Sequence, residues 1–187
     1  ARFAKDRFGV DFALYDMTTQ DQIIYLPVAS STGRTSRLAN GGAIRNTGME
    51  LQLFGDIVKS KAFTWNSRVN VGANRAVVTE LPAGVSGGYP IVSSMFPNDG
   101  GTAGLEYVAV EGELLGLLKG LTFERDADGN IIHENGYPVV SEEKSTIGSY
   151  QPKARVGWMN SFSAGNWQAN ILFDGQIGGL IYSRSHT

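Results

Sequence analysis

The residues best suited to reactive or ligating chemistry are scattered along this sequence and do not assemble into a centre. Asp126, Asp128 and Asn130, in the run DADGN, resemble the opening of a calcium loop. Such a loop needs oxygen ligands at alternate positions and a glutamate at the twelfth, and here no glutamate stands there. The run is read as a turn. His133 and His186 have no partner at ligand spacing. Ser30-Ser31 and Ser141-Glu142-Glu143 show no nucleophile and base pairing, and nothing sets Glu142 and Glu143 across a cleft. The absence of cysteine removes thiol catalysis and thiolate metal sites. No catalytic residue, metal or cofactor is assigned, and the chain is not expected to be an enzyme.

Chemistry in this chain therefore has to come from surfaces, and surfaces are set by secondary structure. Of the 187 residues, 42% are hydrophobic and 18% charged, with 24 glycines, a composition that suits a turn-rich all-β protein. The net charge is -2 and no basic stripe appears, so nucleic acid is not an expected partner. No run reaches the 18 or so apolar residues that a membrane helix needs. That excludes helical insertion and leaves strands untouched. The sequence starts at Ala1, as a mature protein or an excised piece would.

The strongest periodicity lies in residues 44–78. Trp65, Val69, Val71 and Ala73 alternate with Asn66, Arg68, Asn70 and Asn74, and Met49, Leu51 and Leu53 alternate with Glu50 and Gln52. Period 2 with an apolar and a polar set predicts two long strands. In a soluble sandwich the apolar set packs on a core and the polar set meets water. In a transmembrane barrel the apolar set meets lipid and the polar set lines the lumen. Alternation alone leaves both open. Aromatic residues beside short turns favour the barrel: Phe63 and Trp65 follow residues 59–61, and Phe162 and Trp167 flank Ala164-Gly165-Asn166. Rings at that height suit the interface between hydrocarbon and water.

In chain order, residues 8–17 predict a strand that continues through 22–28 with a bulge near 18–21. Residues 29–42 read as a Ser/Gly/Asn-rich loop, and 81–104 as a second long loop carrying Pro82, Pro90 and Pro97. Residues 105–123 read as short strands broken at Glu111-Gly112, because the glycines at 112, 116 and 120 would weaken a helix. Residues 125–140 read as a hairpin turning at Asp128-Gly129, and 153–162 and 167–176 as a final pair of long strands. A further strand is expected in the irregular region before residue 153. Long and short links alternate, so the short turns fall at one end of an up-and-down array. In an outer-membrane barrel the long links, including residues 79–152, would then lie outside the cell.

The sequence also resembles a known family. Asn40, Ile44-Arg45-Asn46, Gly48 and Glu50-Leu51 are similar to a signature of SusC/RagA-type TonB-dependent outer-membrane transporters. Phe63, Trp65-Asn66, Asn70, Asn74, Glu80-Leu81, Val110-Glu111-Gly112-Glu113, Gly116, Gly136-Tyr137-Pro138, Gly148, Pro152, Asn160, Asp174 and Gly178-Gly179 continue it in order. The resemblance implies an all-β, antiparallel, partial segment of a 22-stranded transmembrane barrel in the cell outer membrane, with long extracellular loops. It implies that the plug domain and the TonB-contacting N-terminal region lie outside this sequence. It further implies import of large nutrients such as oligosaccharides or peptides, a SusD-like surface lipoprotein and the TonB complex as partners, and contact with outer-membrane lipid. Within that frame, strand parity assigns Glu50, Gln52, Asn66, Arg68, Asn70, Asn74, Gln168 and Asn170 to the lumen. Tyr89, Phe96 and Tyr107, in the long excursion, are the expected substrate contacts. The alternative is a soluble β-sandwich that binds carbohydrate or serves adhesion.

Overall fold

The computed structural model describes residues 1–28, 30–92 and 105–183, and apart from one 3-10 turn at Ser30–Thr32 their regular structure is all strand. In chain order the strands are β1 (Arg2–Phe3), β2 (Phe8–Gln20), β3 (Ile23–Pro27), β4 (Ser36–Asn40), β5 (Ala43–Lys59), β6 (Phe63–Glu80) and β7 (Tyr89–Val92). There follow β8 (Glu106–Ala109), β9 (Leu117–Gly120), β10 (His133–Glu134), β11 (Tyr137–Pro138), β12 (Ser145–Ser149), β13 (Ala154–Ala164) and β14 (Trp167–Ile177). Contacts divide the chain into two units. The first comprises residues 1–17, 46–75 and 152–179; the second comprises 18–45, 76–151 and 180–187.

The first unit is built on a six-stranded sheet in the order β1-β2-β5-β6-β13-β14. Its long strands follow the sequence alternation and are joined by the two short turns. Ser60 closes the β5–β6 turn, its backbone N–H reaching the Phe63 carbonyl at 3.0 Å while its Oγ accepts the Phe63 N–H at 3.0 Å. Gly165, at φ 57°, opens the two-residue β13–β14 turn, where a left-handed conformation matches the twist of the paired strands. β5 and β6 run for 17 and 18 residues. That exceeds the roughly 9–11 residues needed to cross a bilayer as a tilted strand.

The second unit contains the hydrophobic core. Leu26, Ala43, Ala76, Val78, Leu105, Val108, Ala109, Leu117 and Leu118, the buried apolar residues among those described, all belong to it. It includes a four-stranded sheet, β12-β9-β8-β7, and the pairs β3–β4 and β10–β11.

The sheet of the first unit has no such core. Within residues 1–17, 46–75 and 152–179 its apolar side chains are open: Phe12 is 59% exposed, Leu14 70% and Phe173 57%, and the buried residues there are Gly9, Gly55 and the polar Asn160. Covering a large apolar side chain is worth about 1.5–3 kcal/mol, so a water-soluble sheet would not leave a row of them bare. A soluble sandwich needs a second layer over this face, and among the described residues the first unit supplies none.

Several sequence expectations need correction. Residues 22–28 do not extend the first strand: Asp21 takes φ 54°, the chain turns, and β3 pairs with β4 in a separate hairpin. The stretch 29–42 is accordingly not all loop. β6 and β13 pair directly from Phe63↔Ala164 to Gly72↔Arg155, as the up-and-down array requires, and the irregular region between them holds several strands, not one, that join separate sheets. Residues 81–104 include β7, and the hairpin of 125–140 carries a second turn at Asn135-Gly136 between β10 and β11.

Candidate functional site

Cross-strand register sorts the first unit's sheet into two faces. Asn66 opposes Ser161, which opposes Asn170; Asn70 opposes Gly157; and Gln168 opposes Ser163. Gln52 donates through Nε2 to Asn70 Oδ1 at 2.7 Å, which puts the even-numbered residues of β5 on that same face. Asn74 accepts from the Tyr15 hydroxyl at 3.0 Å and donates to Asn46 Oδ1 at 3.4 Å. All eight side chains assigned by parity thus share one face, and Asp11, Glu50, Gln52 and Asn70 border a common groove on it.

That face is less uniformly polar than parity suggested. Phe54 lies on it, over Gly9, with the guanidinium carbons of Arg2 and Arg68 each 5.9 Å from its ring centroid. A Cβ on Gly9 would sit 2.3 Å from the Phe54 ring, so only glycine lets the ring lie flat there. Leu172 breaks the polar series Gln168, Asn170, Asp174 of β14, and it opposes Met159, which opposes Arg68. Asp56, which parity also reaches, accepts from Asn66 Nδ2 at 3.1 Å.

The opposite face is aromatic. Phe63, Phe162 and Trp65 stack with centroids 6.4 and 5.8 Å apart, and Trp158 stacks on Phe173 at 5.4 Å. Trp65 Nε1 donates to Asn160 Oδ1 at 3.0 Å, and Trp158 Nε1 to Ser67 Oγ at 2.8 Å. The N–H groups of these two indoles each find a polar atom on the adjacent strand, which burial away from water favours.

The second unit holds a cavity of about 460 Å³. Ala43, Val78 and Ala109, all buried, form part of its lining, and Tyr89, Tyr107 and Tyr150 supply aromatic walls. Two of the three aromatic residues expected from the sequence therefore meet in one concavity. Phe96 lies outside the described residues. Tyr150 was not anticipated: its ring covers Gly116 and packs edge-on against Tyr107 at 5.6 Å. Gly116 has φ 75°, and a Cβ there would fall 1.8 Å from the Tyr150 ring. Tyr89 is held by a hydrogen bond from its hydroxyl to the Tyr25 carbonyl at 2.9 Å. Gln151 braces the neighbouring backbone, donating through Nε2 to the carbonyls of Ala76 and Leu115 at 3.1 and 2.6 Å. Gln22 and Glu80 are the polar and charged residues that join this lining beside the tyrosines.

The DADGN run folds on itself. Asp126 Oδ1 accepts the N–H groups of Asp128 and Asn130 at 3.0 and 2.8 Å, and Oδ2 accepts from Asn130 Nδ2 at 3.2 Å. The hydrogen bonds from Asn130 hold the Asp126 carboxyl below its ordinary value. Its oxygens are engaged in shaping a turn. His133 points Nδ1 to the Ile131 carbonyl at 2.9 Å.

Comparison with known proteins matches residues 1–184 to the family described as TonB dependent receptor-like, beta-barrel. Two curated relatives from Formosa agariphila, TonB-dependent receptors P3 and P26, are 23% and 24% identical over 94% and 95% of this chain. The match spans 19% of each relative. Among solved structures, the RagAB peptide importer in its open-open state superposes with a TM-score of 0.69 at 21% identity, covering 94% of this chain and 19% of that one. Its closed-closed state gives 0.68 at 23% identity, covering 94% and 20%. The chain spans about a fifth of the length of these relatives.

Proposed function

We propose a function from one premise: this chain belongs to the TonB-dependent receptor-like β-barrel family and is a stretch of barrel wall in the outer membrane. The family is one of transport receptors, not enzymes. In our reading the longer protein imports large nutrients, oligosaccharides or peptides, with energy delivered through TonB and a SusD-like lipoprotein at the cell surface. The RagAB assemblies that this chain resembles are peptide importers, which favours peptides.

The observation that carries the reading is the uncovered apolar face of the six-stranded sheet, with Phe12, Leu14 and Phe173 more than half exposed. Lipid is the environment in which such a face is stable. The polar face, with Glu50, Gln52, Asn66, Arg68, Asn70, Asn74, Gln168 and Asn170, is then the lumen wall. The chain leaves the sheet at the end of β6 and returns to its neighbour β13, and residues 79–152 are our proposed extracellular excursion. Tyr89 and Tyr107 within it are our proposed substrate contacts.

Uptake of labelled peptides and labelled oligosaccharides by cells carrying the full-length protein tests the function. Uptake of one class is expected to require the protein and to vanish when TonB is removed. Uptake unchanged by deletion of the protein, for both classes, would refute it.

A further inference from the structure

We infer that the tyrosine-lined cavity is a subsite for an apolar side chain of a peptide that carries positive charge beside it. This inference rests on the importer reading above and adds to it a ligand chemistry.

The first argument is the composition of the walls. Ala43, Val78, Ala109 and Leu115 present only hydrocarbon, and Ile91 adds more at 47% exposure. At about 460 Å³ the cavity lies within the ~300–1,000 Å³ usual for small-ligand sites, roomy enough for one large side chain and the backbone that bears it. Small residues make the space. Gly41 and Gly42 lie in the lining, and Gly42 has φ 79° with the Glu80 carbonyl 3.1 Å from where a Cβ would stand.

The second argument concerns polar groups. A sugar ring carries a hydroxyl on nearly every carbon, and each one buried without a partner costs affinity by roughly tenfold. The Tyr89 hydroxyl already donates to the Tyr25 carbonyl, so its proton is not available to such a ring. An apolar side chain makes no such demand. It gains from the three tyrosine faces, two of them fixed edge-to-face at 5.6 Å.

The third argument is charge. Glu80 is the charged residue among those that line the cavity, it is exposed, and it has no ion-pair partner among the described residues. A carboxylate beside an apolar cavity selects a cation, such as a lysine, an arginine or the α-amine next to the buried side chain.

The test uses the full-length protein in detergent and calorimetric titration with four probes: the peptides Lys-Trp-Lys, Lys-Ala-Lys and Glu-Trp-Glu, and maltoheptaose. Lys-Trp-Lys is expected to bind about tenfold or more tighter than either other peptide, and maltoheptaose more weakly than all three. Glu80→Gln should bring Lys-Trp-Lys and Glu-Trp-Glu to within about threefold of each other, and Ile91→Arg, at an exposed position, should reverse their order. Equal affinity for Lys-Trp-Lys and Lys-Ala-Lys, tighter binding of maltoheptaose, or a charge preference untouched by both variants would each overturn the inference. Uptake assays run in parallel separate the two claims. TonB-dependent uptake that survives with affinities blind to the cavity variants removes this inference alone. Cavity-dependent binding without TonB-dependent uptake removes the transport reading alone.

Discussion

Replacing Gly116 by alanine should loosen the cavity from one side. Two costs can be worked out. Alanine at φ 75° sits in the left-handed region, at about 1–2 kcal/mol. Its Cβ would also fall 1.8 Å from the Tyr150 ring, so the ring must leave, losing an edge contact with Tyr107 worth about 0.5–1.5 kcal/mol. Together they weaken this region by roughly 2–3 kcal/mol, about a 30- to 150-fold rise in opening. Gly112→Ala is the internal control. Gly112 has φ 83° but nothing within 4 Å of its Cβ position, so it pays only the conformational cost. Hydrogen exchange on the full-length protein, followed in peptides covering residues 105–123 and 145–151, reads both. Gly116→Ala is expected to accelerate exchange there by several-fold more than Gly112→Ala. Equal effects, or a Gly116→Ala protein within twofold of the parent, would refute the packing of Tyr150 over that glycine.

Other expectations follow from the same geometry. Trp65→Phe leaves the buried Asn160 carbonyl without its indole donor and should cost about 1–3 kcal/mol, seen as a lower temperature at which the folded barrel loses its compact gel mobility. Adding Asn160→Leu to that variant should recover part of the loss, because both polar atoms are then gone. Asp126→Ala should speed exchange of the Asp128 and Asn130 amides at neutral pH. In the parent, the Asp126 carboxyl is held below the ordinary aspartate value of about 3.9, so its support of the turn is present above that value. That support fades as pH falls through the depressed folded value, and protection of the Asn130 amide should converge there on that of Asp126→Ala.

What could be read from the sequence and what could not divides along the same physical line. In β5, β6, β13 and β14 the backbone imposes period 2 over many residues, so side-chain type alone reveals both the strands and which residues share a face. The eight polar residues fell together for that reason. β4 was missed because Ser36–Asn40 holds one large apolar residue, Leu38, and is a strand only by virtue of pairing with β3. The sheet formed by β12, β9, β8 and β7 was hidden because its strands are four or five residues long, too short for alternation to declare itself. Tyr150 escaped notice for a related reason: it joins Tyr107 only through the sheet that brings β8, β9 and β12 side by side. Leu172 departs from the alternation of β14 because it faces an apolar neighbour, Met159, across the strand pair.

The account turns on which face of the sheet meets lipid. Single cysteines at Val69, Asn70, Val71 and Gly72 of β6, introduced into the full-length protein in intact outer membranes, address it most directly. Labelling of 69 and 71 by a membrane-soluble reagent, and of 70 and 72 by a water-soluble one, is the predicted result. If 69 and 71 resist both reagents, the apolar face is covered by protein, and its assignment as membrane-facing barrel wall is contradicted.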